Sequence, residues 1–233
     1  LSEDLMQSIA LENNLSETAF ININESPIPI RWFTPTLEVD LCGHATMASA
    51  KILFEHFPDI AGSEISFSSK SGILKVSKNA EDICLNFPAD DPELQEMDAL
   101  FAEALGKSPI EILRGTDDFL AVFETEQQIQ TMNPDFTKLA KINSRGVVIS
   151  APGNDVDFVS RCFFPQTGVD EDPVTGSAHT MLIPYWAKQL DKIEFKAHQL
   201  SARGGALDCK LINNRVLISG KSVIYFEGMI SII

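Results

Sequence analysis

The residues able to do chemistry gather at two short turns. The first reads Cys42-Gly43-His44-Ala45-Thr46, the second Asp172-Pro173-Val174-Thr175-Gly176-Ser177-Ala178. A glycine-containing turn that feeds a helix leaves backbone N–H groups unpaired at the positive end of the helix dipole. Two such ends brought together hold an anion such as a carboxylate. Gly43 and His44 offer backbone donors and an imidazole, while Gly176 and Ser177 offer backbone donors and a hydroxyl. For one turn alone, N-capping by Thr46, Thr175 or Ser177 is the plainer account; its repetition favours the anion site. Asp172 ends the acidic run Asp170-Glu171-Asp172. Such a run is ordinarily a solvated loop, but an Asp just ahead of a helix start is also placed to orient a substrate amine or hydroxyl.

Glu17, between Ser16 and Thr18, sits where a turn meets a predicted strand. On the surface it is an ordinary carboxylate. Carried into a cleft, it has its pKa raised by desolvation and becomes a proton-transfer group. His44, beside a helix N-terminus, is expected to be neutral near pH 7; a buried structural histidine is the alternative. Cys42, Cys84, Cys162 and Cys209 form no C-x-x-C and no zinc spacing, so core packing and reduced cytosolic thiols are expected. A two-thiol racemase needs a cysteine at each turn, and the second turn has none. The histidines at 44, 56, 179 and 198 make no H-x-x-x-H or H-E-x-x-H, so no metal is expected.

The elements that position these residues come in two copies. Arg31, Phe33, Pro35, Val39 and Asp40 recur as Arg161, Phe163, Pro165, Val169 and Asp170 at a constant offset of 130 residues. Beyond the turns the offset is 133, matching Ser68, Gly72 and Leu74 with Ser201, Gly205 and Leu207. Each turn leads into a small-residue apolar run, 46–57 and 178–190, apolar almost all round and so predicted to be a buried helix. Pro184 is expected to kink or split the second. Residues 1–14, 92–105 and 135–141 also read as helices. Strands are predicted at 18–23, 28–33, 64–69, 74–78, 83–87, 119–124, 146–150, 157–164, 195–200, 206–211, 215–219 and 222–226, with turns at Gly72 and Asn79.

Buried helices amid many strands predict an α+β fold of two pseudo-symmetric lobes, each a rolled, mostly antiparallel β-barrel around a central helix. The N-terminal lobe is expected to span residues 1–112, completed by 226–233, and the C-terminal lobe 113–225. The second copy has a strand at 119–124 whose counterpart falls before Leu1. The chain also lacks an initial Met, so about 12 or more preceding residues are expected.

Composition narrows the partners. With 233 residues, 44% of them hydrophobic, the chain is long enough for two small lobes. A formal net charge of −15 argues against nucleic acid and anionic membranes, which need clustered Lys and Arg. No apolar run reaches the roughly 18 residues of a membrane span. A small anionic substrate held locally at helix N-termini is compatible with this charge.

These residues carry a family likeness. Asn14-Leu15-Ser16-Glu17-Thr18-Ala19-Phe20, Arg31-Trp32-Phe33-Thr34-Pro35, Glu38 to Thr46, Asp170 to His179 and Ser201-Ala202-Arg203-Gly204-Gly205 resemble the PhzF-like phenazine biosynthesis family over nearly the whole chain. The family's opening strand and Gly-Asn-Pro turn are lacking. The resemblance implies the diaminopimelate-epimerase-like fold, a homodimer, and isomerisation without a cofactor. It implies Glu17 as general acid/base, His44 and Asp172 as assisting groups, and Ser16, Gly43, Gly176 and Ser177 as substrate-binding residues. The function expected is isomerisation of a small carboxylate, such as a dihydro-hydroxyanthranilate-like ring, in the cytoplasm. A two-base racemase or epimerase, or a catalytically silent carboxylate-binding protein on the same scaffold, are the alternatives.

Overall fold

Capping and alternation build the N-terminal half. The computed structural model describes residues 1–79 and 82–231. Helix α1 (Glu3–Asn13) starts on Ser2, whose hydroxyl accepts from the Leu5 N–H, and stops at Asn14 in the left-handed conformation. Strands β1 (Thr18–Ile21), β2 (Ile28–Phe33) and β3 (Glu38–Val39) follow, then helix α2 (Gly43–His56) and the short helix α3 (Pro58–Ala61). Strands β4 (Glu64–Ser69), β5 (Gly72–Asn79) and β6 (Asp82–Pro88) form an antiparallel meander. The turn predicted at Asn79 falls on residues 80–81, which lie outside the described ones.

Predicted helix 92–105 is shorter than expected. Strand β7 (Glu93–Leu94) pairs with β8 (Glu111–Arg114), and only α4 (Ala99–Leu105) is helical. Asp98 sets its start by accepting from the Leu100 N–H, and Gly106 ends it at φ 71°. Strand β9 (Asp118–Val122), helices α5 (Glu126–Gln130) and α6 (Phe136–Leu139), and strands β10 (Gly146–Pro152), β11 (Phe158–Phe164) and β12 (Val169–Asp172) precede helix α7 (Gly176–Leu190). Strands β13 (Glu194–Gln199), β14 (Gly205–Ile212) and β15 (Arg215–Gly220) close the second half. Predicted strand 222–226 is not formed: residues 221–231 are neither strand nor helix, and Val223, Tyr225 and Phe226 are exposed. Residues 232–233 lie outside the described ones.

Pro184 does not split α7, which runs unbroken through it. Proline has no N–H to give the carbonyl four residues earlier. That carbonyl, of Thr180, instead accepts the Asp90 N–H at 3.0 Å, so no backbone group is stranded.

Among the described residues the strands join into one 15-stranded network, mostly antiparallel, with β2–β4, β9–β10 and β11–β13 parallel. It is continuous between the halves because β15 pairs with both β14 and β6. Helix α2 packs on β1, β5 and β6, and α7 on β6, β9, β14 and β15. The strands thus wrap the two helices, and α2 and α7 touch each other.

The repeat is visible in side chains. Arg31 grips Glu38 through Nε and a terminal nitrogen, and Arg161 grips Glu171 in the same way. Each guanidinium also lies 5.1 Å from the ring of the phenylalanine two residues on, Phe33 or Phe163. One apolar core takes residues from both halves, including Phe67, Leu85, Phe158, Leu182 and Ile218. No helix among the described residues is long and apolar enough to cross a membrane.

Candidate active site

The site forms where α2 and α7 begin. Their first residues, Gly43 and Gly176, pack backbone to backbone. A Cβ on Gly43 would stand 3.0 Å from the Gly176 Cα, and one on Gly176 would stand 3.2 Å from the Gly43 Cα. Only glycine permits that approach, and the approach brings both positive helix ends to one place. Neither N-cap residue, Cys42 or Thr175, uses its side chain on its own helix. The capping role considered for Thr46 and Thr175 is therefore not what these residues do. Thr46 instead donates to the Cys42 carbonyl.

A cavity of about 500 Å³ opens over this junction, lined in part by Glu17, Gly43, His44, Asp172, Gly176 and Ser177. Glu17, just ahead of β1, brings Oε2 to 3.1 Å from His44 Nε2. The approach is a charge contact, since Oε2 has no aligned hydrogen-bond donor. Ser16 Oγ lies 3.3 Å from the same nitrogen. On the other side of the ring, Asp172 Oδ1 is 3.9 Å from Nδ1. The candidate site residues Ser16, Glu17, Gly43, His44, Asp172, Gly176 and Ser177 thus meet here or at the cavity wall. The Ser177 hydroxyl is already engaged, accepting from Arg145 at 3.2 Å.

The charges differ from those expected of isolated groups. Burial pushes the Glu17 pKa up, but the adjacent His44 outweighs it, and the net shift is downward. Burial disfavours the His44 imidazolium, yet the Glu17 and Asp172 carboxylates beside it oppose that, and its pKa is raised above the ordinary value. Cys42 is itself pushed up by burial, so its thiol is neutral near pH 7 and the two carboxylates sustain the imidazolium. Both expectations, a raised Glu17 and a neutral His44, are corrected. A carboxylate within 4 Å outweighs a helix dipole spread over several backbone groups. Asp172 is pushed up to about 6, chiefly by burial.

Several residues that sequence reasoning missed hold the second turn. Gln199 receives the Thr175 N–H on Oε1 at 2.7 Å and donates Nε2 to the Asp172 carbonyl at 2.8 Å. Its signal was present: along β13, Phe195, Ala197 and Gln199 alternate inward, and a glutamine in a buried register seldom lacks a task. His179 donates Nδ1–H to the Thr175 carbonyl at 2.8 Å, and burial lowers its pKa to about 4, so it stays neutral. Thr175 donates to Asp172 Oδ2. Arg145 forms a two-point ion pair with the buried Asp118 and lies 5.4 Å from the Phe164 ring at the cavity wall. Nothing in the local sequence marks Arg145 for this place.

Glu17, Cys42 and His44 have their ligand atoms within 4.8 Å of one another, the one such metal-competent group among the described residues.

Two rolled lobes meeting at paired helix starts define the diaminopimelate-epimerase-like class of fold. Solved structures carry the same architecture. A PhzF-family phenazine biosynthesis protein of Enterococcus faecalis superposes with a TM-score of 0.91 at 44% identity, covering 97% of this chain and 86% of that one. A hydroxyproline epimerase of Agrobacterium vitis shares the fold alone, with a TM-score of 0.59 at 12% identity over 90% of this chain and 72% of that one. In sequence, residues 1–228 match the family described as phenazine biosynthesis-like protein. An uncharacterised isomerase of Pseudomonas aeruginosa is 48% identical over 230 residues, 99% of this chain and 88% of that relative. The phenazine biosynthesis-like domain-containing protein 2 of Mus musculus is 38% identical over 99% of this chain and 90% of its own. The chain belongs to the phenazine biosynthesis-like (PhzF-like) family. Several bacterial relatives carry the name isomerase, and the chain is an enzyme of that class.

Proposed function

We propose that the protein isomerises a small carboxylate substrate by moving one proton through Glu17. The observation that carries this reading is the Glu17 carboxylate, 3.1 Å from His44 Nε2, at a cavity that also takes in the two glycine helix starts. The substrate carboxylate binds at the Gly43 and Gly176 turns, where backbone N–H groups and helix dipoles favour an anion. Glu17, ionised at neutral pH by its imidazolium neighbour, accepts a proton from a substrate carbon and returns it at another. Bonds and charge balance within the substrate, so this step needs no cofactor. Negative charge developing on the substrate faces the helix N-termini and the His44 cation, which stabilise it more than the neutral ground state. Asp172, able to hold a proton up to about pH 6, orients a substrate amine or hydroxyl.

A two-thiol racemase is disfavoured by one correspondence. The residue equivalent to Cys42 at the second turn is Thr175, which has no thiol. The free state of Cys42, Cys84, Cys162 and Cys209 supports a reducing cytosol as the place of action, and the family likeness supports a homodimer.

The test is deuterium incorporation from D₂O into a dihydro-hydroxyanthranilate substrate, followed by NMR. Glu17→Gln is expected to slow incorporation by at least ~10²-fold, the range for losing a general acid/base. Undiminished exchange in that variant removes Glu17 from the mechanism. Inactivation by thiol alkylation would favour the racemase reading instead.

A further inference from the structure

We propose that Cys42, His44 and Glu17 together bind a thiophilic divalent cation of the Zn²⁺ type, and that the loaded site cannot transfer protons. His44 Nε2 lies 3.9 Å from Cys42 Sγ and 3.1 Å from Glu17 Oε2. Around a tetrahedral zinc with bonds of about 2.0–2.3 Å, ligand atoms stand roughly 3.3–3.6 Å apart. The three ligand atoms here lie within 4.8 Å of one another, and Cys42 Sγ is as near to Nδ1, at 3.8 Å, as to Nε2, so closing the site takes a rotation of the Cys42 side chain toward Nε2. The scaffold is short and rigid: Cys42 caps α2 and His44 lies in its first turn.

Independent support comes from two unsatisfied oxygens. Glu17 Oε2 and Asp172 Oδ1 are buried with no aligned hydrogen-bond partner, and Asp172 is only 5% exposed. Asp172 Oδ1 faces His44 Nδ1 at 3.9 Å. With one proton kept on Nδ1, facing that carboxylate, Nε2 is the nitrogen that gives up its proton to a metal on the Glu17 side. Drawn in to hydrogen-bond distance, that pair would make the arrangement in which a carboxylate orients a metal-binding histidine. The fourth position opens to the cavity and takes water. A thiolate with an imidazole selects Zn²⁺ over Mg²⁺ or Ca²⁺, which prefer all-oxygen shells. On binding, the cation replaces the Cys42 thiol proton and the His44 Nε2 proton, and both go to solvent. No redox change is involved. Glu17 is then committed to the metal, so the silencing rests on the proton-transfer reading above, whereas the binding itself does not.

Co²⁺ titrated into chelator-stripped protein provides the readout. One equivalent is expected to develop a near-ultraviolet thiolate-to-cobalt charge-transfer band, bleached by one equivalent of Zn²⁺ and indifferent to Mg²⁺. Cys42→Ser abolishes the band and weakens Zn²⁺ binding by roughly 10²-fold, and Glu17→Gln weakens it about 10-fold. Cys84→Ser leaves the band in place. His44→Ala carries the same expectation as Cys42→Ser, so a variant that fails to fold leaves a second test standing. No band in the native chain, or a band that survives both Cys42→Ser and His44→Ala, overturns the site. If the band forms as expected while Glu17→Gln isomerises normally, the cation site stands and only its inhibitory consequence falls.

Discussion

Asp172 and His44 face each other 3.9 Å apart, and each holds its proton more tightly in the folded chain than outside it. For Asp172 the native pKa of about 6 lies above the ordinary value of 3.8, so its neutral form is the one that suits burial. The stability this lends is full below the unfolded pKa and is lost as pH rises through the native one. His44 acts in the same direction. Asp172→Asn, which keeps the shape without the charge, is therefore expected to be more stable than the native chain at pH 8, by about 2–3 kcal/mol. The gain should vanish near pH 4. Urea denaturation at both pH values checks this; equal stability of the two proteins at pH 8 removes the burial cost assigned to Asp172. The same variant should isomerise more slowly, since it also loses the group that orients the substrate.

At the scale of the element, the decisive contact is glycine on glycine between α2 and α7. Replacing a helical glycine by alanine ordinarily gains about 0.5–1 kcal/mol. Gly43→Ala is expected to reverse that sign, because its methyl would meet the Gly176 Cα at 3.0 Å. We expect a loss of roughly 1–3 kcal/mol from overpacking, and weaker carboxylate binding as the helix starts move apart. A normal KM with raised stability would show that the contact is incidental. Elements were legible where periodicity was long. The predicted strand 28–33 forms with those bounds, and both apolar runs form helices, but only α7 is buried along most of its length, whereas α2 leaves Ala48, Glu55 and His56 exposed. Strands β3, β7, β8 and β12, of two to four residues, are too short to show an alternation; β1 is legible at four residues because its alternating signal runs on through 18–23 in the sequence. Residues 222–226 show the opposite failure: they have strand-forming residues, yet no neighbouring strand pairs with them. Strand propensity measures fit to a half-buried sheet surface, and without a partner it decides nothing.

At the scale of the whole molecule, the sheet is continuous through β6 and β15, and one core draws on both halves. The halves are therefore expected to unfold together. Trp32 lies in one half and Trp186 in the other, both almost fully buried, so variants keeping one tryptophan report on each half separately. Their midpoints in denaturant should coincide. Leu85→Ala, in the shared core with 1% exposure, should lower both midpoints together, at a cost of about 2–5 kcal/mol. Separate transitions would mean that each half is a cooperative unit of its own.

The duplication, the two glycine turns, the candidate carboxylate and the family likeness were all present in the order of residues. Each is a property of local type and spacing, and the repeat makes two weak signals corroborate each other. The protonation states of Glu17 and His44 were decided only by the tertiary structure, as were the hold of Gln199 on the second turn and the place of Arg145 at the cavity wall. These depend on distances between residues far apart in the chain. A pKa turns on a few ångströms of separation and on burial, and spacing in sequence specifies neither.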